Sequence, residues 1–140
     1  MKKAFLFFIT LATNIAFAQI AKLENDKVLY DGKPILRFEK MNSNYSFYSL
    51  ETDDEILYYT YDFNGTSAYV HDDVYTLNFL TEKIKIESRY FEQIGSISTK
   101  KSMQKLIELL VKEKVLSLDG KINREKLEIF YDKYNEVIIR

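Results

Sequence analysis

From residue 83 to residue 90 the chain reads Lys83-Ile84-Lys85-Ile86-Glu87-Ser88-Arg89-Tyr90, with polar and apolar side chains alternating. In an extended strand Ile84, Ile86 and Tyr90 point one way, and Lys83, Lys85, Glu87 and Arg89 point the other. That is the period of a sheet with one wet face. No helix can use it. The same period recurs through the first half. Leu57, Tyr59, Tyr61 and Phe63 share a face within Ile56 to Phe63, and Val74 to Leu80 and Tyr45 to Leu50 are built alike. Val28 to Tyr30 precedes the chain's only proline, Pro34, and Ile35 to Met41 follows it. Turn-forming clusters separate these runs: Asn25-Asp26, Asp31-Gly32, Asn42-Ser43-Asn44, Glu51 to Glu55 and Asn64-Gly65. Connections this short join antiparallel neighbours, so the expectation is an antiparallel meander of about six or seven strands.

The period then changes. Met103, Leu106, Ile107, Leu110 and Val111 recur at helical spacing after candidate caps Ser98 and Thr99. Asn123 is a good N-cap for a second helix whose apolar stripe is Leu127, Phe130, Tyr131 and Tyr134. Ile122 and Leu127 stand where a hydrophobic staple would. Helices are expected at about residues 100–116 and 124–135, each laying one face on the sheet. Val137-Ile138-Ile139 can close the chain as a short strand or as a docked tail. The fold class expected is therefore α+β, a meander followed by two C-terminal helices packed on it.

Residues 1–18 read as a cleaved signal peptide. Lys2 and Lys3 supply the positive start, Ala4 to Ala12 the apolar stretch, and Ala16-Phe17-Ala18 the small residues before cleavage at Gln19. The apolar segment is too short for a spanning helix, which needs about 20 residues. The expected product is a single α+β domain, residues 19–140, exported to the periplasm or secreted, with no membrane anchor once the leader is removed. It carries 18 bases against 21 acids and no cysteine. A domain of this size can bury a core without disulfides. Nucleic acid is not an expected partner, because such a protein needs a strongly basic face.

Catalytic chemistry finds little support. With no cysteine and one histidine, His71, a thiol nucleophile is excluded and any Ser-His-Asp triad depends on that residue. No Gly-x-Ser-x-Gly elbow occurs, and drawing two catalytic carboxylates from 21 acids is arbitrary without spacing to guide it. Asp119-Gly120 between the helices invites comparison with a calcium loop. Setting Gly120 at the required glycine puts Val115 and Lys126 where oxygen ligands belong, so the comparison fails. Two acidic turns remain, Asp53-Asp54-Glu55 and Asp72-Asp73 after His71. If Ser67 to Val70 is a strand of the meander, both turns fall at one end of the sheet, and Asp53, Asp54, Asp72 and Asp73 become candidate ligands for a hard cation. A small metal-dependent hydrolase is the alternative function that this suggests. No cofactor is expected.

The aromatic content is the most unusual feature, with 11 Tyr and 10 Phe, much of it on the strands. Tyrosine pairs a flat apolar ring with a polar tip and suits recognition. Tyr58 and Tyr59 are adjacent and must face opposite ways, so one of them leaves the core. Tyr45, Tyr58 and Tyr59 are the candidate binding residues. Asn44-Tyr45-Ser46 and Asn64-Gly65-Thr66 fit the glycosylation sequon, which matters only in a eukaryotic secretory route.

Three stretches carry a resemblance beyond the leader: Val28-Leu29-Tyr30-Asp31-Gly32-Lys33-Pro34, Asn44-Tyr45-Ser46-Phe47-Tyr48-Ser49-Leu50, and Asp119-Gly120-Lys121-Ile122-Asn123 through Tyr134. With the Met-Lys-Lys start they make the chain resemble small exported proteins of flavobacterial type. The resemblance implies a Gram-negative envelope or secreted location and brings no activity or catalytic residue. The expected function is a non-enzymatic module that binds a protein or envelope component through its strands.

Overall fold

The computed structural model describes residues 20–62, 74–89 and 100–138. Residues 1–18, read above as a signal peptide, and Ser67 to Val70, His71, Asp72, Asp73, Ser98, Thr99 and Ile139 lie outside the described residues. Seven strands form one antiparallel meander: β1 (Ala21–Glu24), β2 (Lys27–Tyr30), β3 (Lys33–Met41), β4 (Asn44–Ser49), β5 (Glu55–Asp62), β6 (Val74–Phe79) and β7 (Ile84–Ser88). Two helices follow, α1 (Lys100–Lys112) and α2 (Arg124–Tyr134). The α+β meander with two C-terminal helices is thus the architecture observed.

Short loops set this order. Glu24 pairs with Lys27, Tyr30 with Lys33 and Met41 with Asn44, leaving two residues in each hairpin turn. Asn25, Asp31 and Asn42 take left-handed backbone, which Asn and Asp tolerate. At Asp31-Gly32 both residues have positive φ, the twist that a two-residue hairpin prefers. Two bulges bend the sheet. Leu29 opposes Pro34 while Val28 opposes Leu36, which leaves Ile35 unopposed; Ile56 is left over in the same way between Glu55 and Leu57. Each bulge buries two consecutive residues, Ile35 with Leu36 and Ile56 with Leu57. The first also accommodates Pro34 in an interior strand, where the missing N–H would otherwise break the ladder.

Alternation then sorts the two faces. Leu23, Val28, Leu36, Phe47, Leu57, Leu77 and Ile86 run across the inner face and are all buried. Met103, Leu106, Ile107 and Leu110 of α1 and Leu127 and Phe130 of α2 join them in one core. α1 packs beside β1 and α2 beside β7, so the helices sit toward opposite edges. Among the described residues no helix is long and apolar enough to cross a membrane.

The first helix stops four residues short of the expected end. Lys114 adopts left-handed backbone, its N–H bonds to the Val111 carbonyl, and the Val115 N–H bonds to the Leu110 carbonyl. This pair of bonds is a Schellman stop. Val115 and Leu116 are buried beyond it, and Leu116 forms a bridge with Ile122. Asn123 caps α2 as expected, its side chain accepting from the Lys126 N–H at 3.1 Å. Tyr131, assigned to the apolar stripe by sequence, is instead 37% exposed, because Leu127, Phe130 and Tyr134 already fill the side facing the core.

The helical half touches both sheet edges. On β1 the Ala21 N–H donates to Glu108 of α1 at 3.3 Å. On β7, Asn135 and Glu136 just after α2 bond the strand edge, while Val137 beyond them stands 89% exposed. Glu136 N–H donates to the Glu87 carbonyl, the Asn135 side chain accepts from the Glu87 N–H, and the Glu136 carboxylate accepts from Ser88 Oγ and the Arg89 N–H. Polar cover of this kind protects strands that would otherwise pair with another chain.

Candidate functional site

The outer face of β3, β4 and β5 carries a cluster of exposed polar and aromatic side chains. Cross-strand register places Arg37, Tyr48 and Glu55 in one row and Glu39, Ser46 and Tyr58 in the next. None of these parities meets the core, so the side chains answer to each other and to solvent. The Arg37 guanidinium lies 4.1 Å from the centre of the Tyr48 ring and bonds Glu39 at 2.8 Å and Asp53 at 2.9 Å. Tyr48 Oη donates to the other oxygen of Glu39 at 3.2 Å. Hydrogen bonds from Arg37 and then Tyr48 hold the Glu39 carboxyl below its usual range. Burial pushes the Tyr48 hydroxyl up, and its bond to Glu39 and the charge of Glu55 push the same way.

Beside this cluster the strands leave a trough of about 570 Å³, lined in part by Glu39, Met41, Asn44, Tyr48, Glu55 and Tyr58. Tyr58 is half-buried, with its hydroxyl accepting from Asn44 Nδ2 at 3.2 Å, a contact that fixes the ring against the trough wall. Met41 stands 75% exposed at the rim.

The sequence-predicted residues divide between the faces. Tyr58 and Tyr59 do point opposite ways. Tyr45 and Tyr59 are 1% and 0% exposed, paired with each other across β4 and β5, and belong to the inner-face core. Their rings continue an aromatic layer that includes Phe38, Phe47 and Tyr75. Of the three candidate binding tyrosines, Tyr58 alone reaches the trough. Tyr48 was missed by the sequence reading, although it shares parity with Asn44 and Ser46, the polar side of β4.

Of the two acidic turns, Asp72 and Asp73 lie outside the described residues, as does Ser67 to Val70, the stretch expected as a strand before them. β5 pairs directly with β6, Asp62 opposite Val74. Asp53 is moreover engaged by Arg37, and the Asp54 N–H is turned onto Thr52. Among the described residues no group of three or more His, Cys, Asp or Glu is placed to hold a metal ion.

No family model, no curated protein and no solved structure matches the chain.

Proposed function

We propose that the chain is an exported, non-enzymatic binding module of the cell envelope or secretome, and that it engages a protein or envelope component through the outer face of β3, β4 and β5. The observation that carries this reading is the trough at Tyr48 and Tyr58. It combines an aromatic wall and a pre-ordered polar network on rigid strands, the composition expected of a recognition surface. The bonds of Asn135 and Glu136 along β7 support a face rather than strand addition at that edge as the mode of contact. Export rests on the tripartite leader, and N-terminal sequencing of protein recovered outside the cytoplasm should begin at Gln19.

The binding reading is tested by purifying the protein and its Tyr48→Ala/Tyr58→Ala double variant and comparing what each captures from envelope and culture fractions of the producing cell. A partner retained by the native protein and lost by a folded double variant is the expected result. Equal capture by both would remove the outer face from the account.

A further inference from the structure

We infer that the trough accepts a cationic side chain, an ammonium or guanidinium presented by a polypeptide partner, with Glu55 as its counter-ion; this rests on the outer-face reading above. Glu55 is half-buried at the first position of β5, opposite Tyr48. Among the described residues its carboxylate receives no hydrogen bond and no ion pair, whereas Glu39 and Asp53 beside it are both satisfied by Arg37. A partly desolvated carboxylate without a counter-charge favours a cation. Lys40 also lines the trough, but its ammonium lies over the Tyr45 ring at 5.7 Å and makes no ion pair with Glu55.

The surroundings suit the same guest. The Tyr48 ring already holds one guanidinium, that of Arg37, showing the cation–aromatic chemistry of this surface in the protein itself. Tyr58 and the exposed Met41 offer apolar contact for the methylene stem of a long basic side chain. The trough, about 570 Å³, has room for such a chain and neighbouring peptide.

Titrating isotope-labelled protein with a blocked tri-lysine peptide, followed by nuclear magnetic resonance, tests this. Saturable shifts confined to β3, β4 and β5 are expected, with affinity about tenfold lower or less in Glu55→Gln, the loss of one charge-assisted contact. The Glu24→Gln control, on the outer side of β1, should bind as the native protein does, and the peptide acetylated on every lysine should not bind. Absent or unsaturable shifts, equal binding by Glu55→Gln, or equal binding of the acetylated peptide would overturn the inference. Shifts at Tyr58 produced by a neutral oligosaccharide and not by tri-lysine would also overturn it, while leaving the outer face as the binding surface.

Discussion

Gly120 sits in the turn between α1 and α2, with φ of +78°, and a Cβ built there would lie 2.3 Å from the backbone carbonyl oxygen of Ile35. Ile35 is the bulged residue of β3, so this contact docks the helical layer onto the sheet. Gly32 provides an internal reference: its φ is +79°, and a Cβ there would meet nothing within 4 Å. Left-handed backbone costs a non-glycine residue about 1–2 kcal/mol, partly offset by the smaller chain entropy lost on folding, about 0.4–1 kcal/mol. Gly32→Ala should therefore lose roughly 1 kcal/mol. Gly120→Ala carries the same term plus the overpacking of a buried position, about 1–3 kcal/mol, because the obstructing atom is strand backbone and not a side-chain tip. A total of about 2–4 kcal/mol follows, enough to lower Tm by roughly 10 °C. Urea unfolding of the two variants side by side, followed by circular dichroism, isolates the difference. Equal losses in both would show that the interhelical turn does not press on β3, and the docking described here would be wrong.

The other predictions use the same face-by-face logic. Tyr59→Ala or Tyr45→Ala should cost about 3–5 kcal/mol by emptying the core, whereas Tyr58→Ala should cost about 1 kcal/mol or less, as an outer-face cross-strand contact; comparable losses at positions 58 and 59 in denaturant melts would contradict the face assignment. Lys114→Gly relieves left-handed backbone at the end of α1 and should gain about 0.5–1 kcal/mol in the same assay; a loss would argue against the Schellman stop. Glu113 accepts from Lys133 at 2.6 Å and from Tyr134 at 2.9 Å, and these bonds, that of Lys133 first, hold its carboxyl below the ordinary 4.5. A depressed carboxyl contributes stability above its unfolded pKa and loses it as pH falls through its folded value. Glu113→Gln should accordingly melt slightly lower than the native protein at neutral pH, by no more than about 1 kcal/mol for so exposed a pair, and the gap should close on acidification below pH 4.5; a gap unchanged at pH 3 would refute the linkage.

Local pattern was enough for what depends on local pattern. Alternation at Lys83 to Ser88 and the two-residue turns made the meander readable, and the helical spacing from Met103 to Val111 made α1 readable, because each signal lies within one element. Which of Tyr58 and Tyr59 enters the core follows from the parity shared by Leu57, Tyr59 and Tyr61. The same argument applied to Tyr45 and Phe47 sends Tyr45 inward and Tyr48 outward. What could not be read was pairing at a distance. The Arg37, Glu39, Tyr48 and Asp53 network spans two strands and a turn, and depends on the β3–β4 register that sets Arg37 opposite Tyr48. The approach of Gly120 to Ile35 joins residues 85 positions apart, and nothing in either neighbourhood announces the other.

The central claim, that contact with a partner runs through the outer face of β3 to β5, is met most directly by site-specific photo-cross-linking in the producing cell. A photoreactive phenylalanine analogue at position 58 should give a discrete adduct that the same analogue at Glu125, exposed on the far helical side, does not give. An adduct from position 125 with none from position 58 would place the binding surface on the helices and contradict the account.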